Sequence, residues 1–335
     1  MNGVKELILH IGYPKTGTTS IQKFCFLNRP KLMEHGYLYP NSCGQSWGHH
    51  ILTKYYYRPE AKWIIGVDKE KAYGDLILEI ETKNPNKVII SSEVYIQAKL
   101  ISDLREDLEH YFKDWKIKII AYLRRQDRWL GSQYNQITKT GNNQLSPKLF
   151  LEKRFEEHNY FKVLEIWAHN FSHENILIVP FEKDQWKNRS IEQEFLRLID
   201  IEDTSLFNYP EVANTRLNRD CLEFLSLTYP DSIRIGKQFR YLMSLLEEYS
   251  FQNPNSREYN EVFSPEQRIM VYNHYKKSNS EIAKKYLNRE DGILFYEPPP
   301  SKDELWKPYP GIKNESLIKI QKHLLDKLIF KKKPK

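Results

Sequence analysis

The chain carries two hydrophobic periods. Four short, continuous apolar runs, Leu7–Ile11, Val88–Ile90, Ile117–Leu123 and Ile176–Val179, predict strands whose two faces are both covered. Between them, apolar residues recur at three- and four-residue spacing. Ile21, Phe24 and Cys25 mark a helix over 18–35, and Leu76, Ile77 and Ile80 one over 70–82. Leu100, Leu104 and Leu108 mark a third over 93–112; further helices are expected over 127–139 and over 148–171, the latter with Leu149, Phe150, Phe161, Leu164 and Trp167. Strands alternating with helices predict a parallel sheet with helices on both faces, joined by right-handed crossovers. After Phe181-Glu182 the strand signal fades. Segments 190–200, 219–229, 237–249, 265–287 and 315–330 read as helices, punctuated by Pro298-Pro299-Pro300 and by Pro308 and Pro310. The expected fold class is α/β: a P-loop-like parallel sheet flanked by helices, with a helical C-terminal part packed on it. One domain over 1–335 is expected, its α/β core in 1–185 and its mostly helical part in 186–335.

Composition supports a filled core and adds a charge. Of 335 residues, 40% are hydrophobic and 13% aromatic, and the formal charge is +7. The surplus fits a solvated basic surface or a chain that handles anions. Lys and Arg are dispersed, which argues against nucleic acid as a partner. The dense run Lys331-Lys332-Lys333 reads as a frayed tail, with contact to anionic lipid as the alternative. Cys25, Cys43 and Cys221 are too few and too far apart for a disulfide framework or a cysteine-rich zinc site. No signal peptide is visible, and no stretch reaches the roughly 18 apolar residues of a membrane span. A cytoplasmic protein is the expectation.

The chemistry concentrates after the first run, in Gly12-Tyr13-Pro14-Lys15-Thr16-Gly17-Thr18-Thr19-Ser20. Strand, glycine turn and helix N-terminus together hold phosphate-like anions on backbone N–H groups. Gly12 and Gly17 have the spacing of the ATP/GTP phosphate loop, and Thr19 fits its last position. Position 18, however, is Thr where that loop needs Lys, and the turn's lysine is Lys15. No apolar strand ending in an Asp for Mg²⁺ is evident; Asp103 and Asp107 fall in a helical segment. A second cluster, Arg124-Arg125-Gln126-Asp127-Arg128-Trp129-Leu130-Gly131-Ser132, starts at a predicted strand end and runs into a helix. Arg124 stands at the predicted strand end, where a guanidinium can fork onto an anion, and Ser132 lies eight residues on, in the second turn of the predicted helix.

These two motifs resemble those of the sulfotransferases that use 3′-phosphoadenosine-5′-phosphosulfate (PAPS), and more closely the bacterial members associated with carbohydrate acceptors. The resemblance covers roughly residues 5–185. It implies that Lys15 steadies the charge on the bridging oxygen as the S–O bond breaks. It also implies that Thr16, Gly17, Thr18, Thr19 and Ser20 contact the 5′-phosphosulfate, and that Arg124 and Ser132 hold the 3′-phosphate. Tyr160, Trp167 and the strand ending in Phe181-Glu182 are similar to a family pattern in which the aromatic lies near the adenine; Phe181 is the matching position, and a core aromatic is the alternative. An Arg-Lys-Gly lid segment is absent. The cluster Ser278–Ala283 with Tyr286 resembles the C-terminal region of the glycan-type members without assigning any residue a role.

Sulfuryl transfer to a hydroxyl needs a general base near the acceptor oxygen. Glu93 follows Ser92 at a predicted strand end, where ligand crevices form, and matches the family's catalytic position; a carboxylate that merely favours a helix N-terminus is the alternative. His49 and His50, after Gly48 in the polar loop 41–50, are the other candidates, and a similar Gly-His element supplies the base in a heparan-type branch. A shared site is expected, with one His as base and Glu93 orienting it or the acceptor. No metal is expected. Trp47, Tyr55, Tyr56, Tyr57 and Trp63 either stack on sugar rings or pack the helical part.

The sequence thus predicts sulfuryl transfer from PAPS, the co-substrate, to a hydroxyl or amine of a carbohydrate or glycan. A lipid-linked acceptor would imply peripheral membrane contact. The rival readings are an ATP-dependent small-molecule or nucleotide kinase and a catalytically inactive glycan- or nucleotide-binding relative.

Overall fold

In the computed structural model, residues 4–57, 68–140, 145–187, 189–210, 216–228 and 236–330 are described. Trp63 and the lysines at 331–333 lie outside them. Each continuous apolar run forms a strand. The chain begins β1 (Glu6–His10), α1 (Thr18–Leu27), α2 (Arg29–Glu34), β2 (Tyr37–Leu38), α3 (His50–Tyr57), α4 (Lys69–Lys83) and β3 (Lys87–Ser91). It continues α5 (Ile101–Tyr111), β4 (Lys116–Leu123), α6 (Gln126–Lys139), α7 (Pro147–Arg154), α8 (Tyr160–Phe171), β5 (Ile176–Pro180) and α9 (Ile191–Leu198). The remainder is α10 (Arg219–Thr228), α11 (Gly236–Gln252), α12 (Pro265–Leu287) and α13 (Asn314–Phe330).

The five strands pair in the order β2-β3-β1-β4-β5, all parallel. Alternate residues serve opposite cores. Leu7, Leu9, Val88, Ile90, Ile119 and Ala121 pack with α3, α4, α5 and α8, whereas Ile8, Ile89, Ile120, Tyr122 and Val179 pack with α1 and α9. Both faces are therefore apolar, which is why the strands read as unbroken hydrophobic runs. The chain leaves β1 toward β3 and later crosses back to β4, so the strand order reverses at the carboxyl end of β1. That is where parallel sheets open a ligand crevice.

Local chemistry sets the boundaries. The predicted helix 18–35 breaks at Asn28, because Pro30 lacks the N–H that would continue α1. Asp68 caps α4 through the Lys71 N–H, and the chain leaves that helix through left-handed Asn84. Ser190 and Gln193 form a capping box at α9. The predicted helix 93–112 opens as a 3₁₀ turn at Tyr95–Gln97 before α5, and 148–171 resolves into α7 and α8, the latter capped by Asn159. The short strand β2 and the helix α3 had no distinct hydrophobic signature. Tyr56 packs in the core, where its hydroxyl meets that of Tyr73 at 2.7 Å and donates to the Asp107 carboxylate at 2.5 Å.

The chain forms two compact units: Met1–Arg125, Asn159–Glu211 and Lys276–Glu297, and then Gln126–His158, Val212–Tyr275 and Pro298–Lys335. The first holds the sheet. The second has its own cores, one of Leu217, Cys221, Leu225, Leu246 and Ile320 and one of Trp129, Phe150, Phe263 and Tyr275. Within it, buried Arg268 donates to the Asp127 carboxylate at 3.1 Å. All three cysteines are free and buried. Among the described residues, no helix is long and apolar enough to cross a membrane.

Candidate functional site

The turn after β1 is built from left-handed residues. Gly12, Lys15 and Gly17 have φ of 44°, 67° and 78°. A Cβ on Gly12 would stand 2.4 Å from Thr18 Cγ2, and one on Gly17 would stand 2.3 Å from Ile191 Cδ1 and 3.1 Å from Phe181 Cε2. Both positions therefore need glycine for conformation and for space. Thr16 closes the turn from inside: it is fully buried, and its hydroxyl donates to the Tyr13 carbonyl at 2.5 Å. Helix α1 then starts with no side-chain cap and no acidic residue in its first turn. An uncapped helix N-terminus behind left-handed turns is the local chemistry of an anion cradle. Thr18 is buried and Thr19 is exposed at its rim. Ser20 is engaged sideways, donating to buried Glu192 on α9 at 2.5 Å.

Arg124 and Phe181 close on the same turn. Arg124 lies just past β4, and its Nη1 donates to the Lys15 carbonyl at 3.3 Å. Its guanidinium sits 5.7 Å from the Phe181 ring centre. The strand end is fixed by the Tyr160 hydroxyl, which donates to the Arg124 carbonyl at 2.7 Å, while the Tyr160 ring packs 4.5 Å from Tyr13. Tyr160 and Trp167 are fully buried in the first core, so they support the site from within. Arg125 points elsewhere: it is buried and donates to the Glu297 carbonyl at 2.9 Å. The same C-terminal segment is pinned by Glu182, which accepts from the backbone N–H groups of Tyr296 (2.7 Å) and Glu297 (3.1 Å). Ser132 is half-buried on α6, in the second unit.

The candidate bases separate. His49 is an interior post. The Ser91 N–H donates to its Nδ1 at 3.0 Å, so the proton is on Nε2, which donates to the Pro40 carbonyl at 3.1 Å. Burial pushes its imidazole down to about 4. Both nitrogens are committed to backbone, and neither is left for a proton transfer. His50 opens α3 half-buried, with Nδ1 on Ser92 Oγ at 2.7 Å. Ser92 Oγ also contacts Thr53 Oγ1 at 3.2 Å. Glu93 is half-buried beside the turn, its Cβ 3.6 Å from where a Gly12 Cβ would stand. Its Oε2 accepts from Gln22 Nε2 on α1 at 2.9 Å. Gly48 joins the two: a Cβ there would lie 2.9 Å from Gln22 Nε2 and 3.0 Å from His50 Nε2. Lys15, Gly17, Arg124 and Phe181 thus meet at one end of the turn, and Gln22, Gly48, His50, Ser92 and Glu93 at its flank.

Residues not singled out in the sequence matter here. Gln22 is buried on the apolar stripe of α1, and a polar residue beside Ile21, Phe24 and Cys25 was its visible signal. His10 is fully buried at the end of β1, with Nδ1 on Ser91 Oγ at 2.8 Å and its imidazole pushed down to about 3 by burial.

No family model matches the chain. A stretch of 217 residues, 63% of the chain, is 24% identical to an uncharacterized protein of Archaeoglobus fulgidus; the match spans 56% of that protein, so the chain spans about half the length of the relative. Among solved structures, the crystal structure of a sulfotransferase from Alicyclobacillus acidocaldarius aligns with a TM-score of 0.42 and 15% identity, covering 72% of this chain and 96% of that one.

Proposed function

We propose that the chain is a sulfotransferase that moves a sulfuryl group from PAPS to a hydroxyl or amine of a carbohydrate, releasing 3′,5′-phosphoadenosine phosphate. The observation that carries the reading is the meeting of the Arg124 guanidinium with the Lys15 carbonyl at 3.3 Å, beside Gly17 and Phe181. It joins the two motifs, 109 residues apart, that the sequence associates with the two phosphates of one donor.

In this reading the N–H groups at the start of α1 hold the 5′-phosphosulfate, and Lys15 neutralises charge on the leaving phosphate. Arg124 takes the 3′-phosphate, and Phe181 the adenine. Thr16 acts by shaping the turn, since its hydroxyl proton is spent on Tyr13. The acceptor is held beside Glu93 and His50, one of which takes its proton as the new S–O bond forms and the bridging S–O bond breaks. The fit of this donor rests on the cradle itself: an uncapped helix start, two glycines that a Cβ would obstruct, and an arginine at its edge.

The test is ligand stabilisation of the full chain. Saturating 3′,5′-phosphoadenosine phosphate without metal raises the melting temperature, and ATP with Mg²⁺ does not. Stabilisation by ATP with Mg²⁺ alone would overturn the reading in favour of a kinase.

A further inference from the structure

We propose that His50 Nε2 is the atom that takes the acceptor's proton, and that Ser92 and Thr53 are positioning residues that fix the ring in that tautomer. The assignment of the base rests on the sulfotransferase reading; the tautomer stands on hydrogen-bond geometry alone.

The argument follows one proton at a time. Thr53 Oγ1 lies 2.9 Å from the His50 carbonyl, an obligate acceptor, so the threonine's single hydroxyl proton is directed there. Thr53 Oγ1 also lies 3.2 Å from Ser92 Oγ. With the threonine proton spent, that contact is a hydrogen bond only if Ser92 donates and Thr53 accepts. Ser92 has then spent its own proton. Its oxygen, 2.7 Å from His50 Nδ1, accepts, so Nδ1 carries the hydrogen. The Val94 N–H, 3.4 Å from Ser92 Oγ, uses the same oxygen as an acceptor and agrees with that polarity. A neutral imidazole holds one ring hydrogen, so Nε2 is left with its lone pair.

Position completes the case. Nε2 of His50 stands by Gly48 and Gln22, and Gln22 holds the neighbouring Glu93 carboxylate. The paired His49 is the internal contrast: its hydrogen sits on Nε2, bound to the Pro40 carbonyl. Two adjacent histidines are thus held in opposite tautomers, one with both nitrogens closed on backbone and one with its Nε2 lone pair beside Gly48 and Gln22. In the transfer step, the acceptor oxygen forms a bond to sulfur and the bond from sulfur to the bridging oxygen breaks. That electron pair leaves with the 5′-phosphate of the nucleotide, and the acceptor's proton passes to His50 Nε2. The resulting imidazolium keeps its Nδ1–H on Ser92.

The experiment is long-range proton–nitrogen NMR of the full chain labelled with ¹⁵N-histidine, without donor, at alkaline pH. The His50 signals are those missing from His50→Gln. Nδ1 is expected as the protonated nitrogen and Nε2 as the bare one. Thr53→Val removes the acceptor that fixes Ser92 and shifts the ring toward the opposite tautomer; Ser92→Ala removes the partner of Nδ1 and leaves a mixture. Thr53→Ser restores the wild-type pattern. A wild-type ring protonated on Nε2, or a tautomer unmoved in both folded variants, overturns the proposal. Failure of the sulfotransferase reading shows separately, as the absence of stabilisation by 3′,5′-phosphoadenosine phosphate.

Discussion

Gln22 donates from Nε2 to the Glu93 carboxylate at 2.9 Å, which ties the helix that begins in the anion cradle to the strand end that carries the candidate acceptor site. Gln22 lies one helical turn beyond Thr18, so whatever fixes the start of α1 also fixes this amide. Replacing it with Leu keeps the volume and removes the donor. The account predicts that Gln22→Leu lowers turnover by roughly tenfold and leaves the affinity for 3′,5′-phosphoadenosine phosphate within about twofold. Calorimetric binding beside a turnover assay reads the two effects. Equal loss of both would mean that Gln22 supports the cradle alone.

Gly17 is predicted to tolerate no side chain. Its φ of 78° and the 2.3 Å approach of Ile191 Cδ1 leave a Cβ neither conformation nor room. Gly17→Ala should cost roughly 1–3 kcal/mol of stability through strain and displacement of α9. Binding of the adenosine bisphosphate should fall by more than tenfold, since the same shift moves the first N–H groups of α1. Urea unfolding and calorimetry check the two parts.

Acid should destabilise the fold through its interior histidines. His49 and His10 stay neutral down to about 4 and about 3, whereas an unfolded histidine takes its proton near 6.5. Between those values the unfolded chain binds more protons than the native one, so stability falls as pH drops through 6.5 and recovers as it rises. Each ring removes about 2 kcal/mol between about pH 6.5 and about pH 5. Denaturant unfolding at those two pH values measures the loss. His49→Gln should be less stable near neutrality and show a shallower pH dependence; a wild type equally stable at both would contradict neutral burial of these rings.

Arg124 and His49 are expected to fail in different ways when replaced. Arg124→Ala should weaken binding of 3′,5′-phosphoadenosine phosphate by about tenfold to a hundredfold, as expected for loss of a charged fork to phosphate. His49→Ala should act on stability, by roughly 2–3 kcal/mol, because it strands the Ser91 N–H and the Pro40 carbonyl in the interior. Thermal unfolding and titration of each variant distinguish the two.

Features local in sequence were legible, and those made by distant contacts were not. The strands β1, β3, β4 and β5 appear as continuous apolar runs because the sheet is covered twice. The glycine turn was legible because its conformation is demanded within six residues. The two-residue β2 carries too little pattern to read, and α3 hides its boundary inside a polar loop. His49 and His50 look alike in the sequence; what separates them is Ser91 and Ser92, 42 positions away on adjoining sides of one strand end. Ser20 likewise reads as part of the cradle, and only the placement of α9 brings Glu192 to its hydroxyl.

The central claim is tested most directly by sulfuryl transfer itself. The wild-type chain and Lys15→Ala are incubated with ³⁵S-labelled PAPS and a panel of glycans, and label is followed onto the acceptor. The account predicts transfer to at least one carbohydrate by the wild type, and a loss of about a hundredfold or more in Lys15→Ala, which still binds 3′,5′-phosphoadenosine phosphate. A wild type that binds the bisphosphate yet transfers no label, or a Lys15→Ala variant that transfers as fast as the wild type, would contradict it.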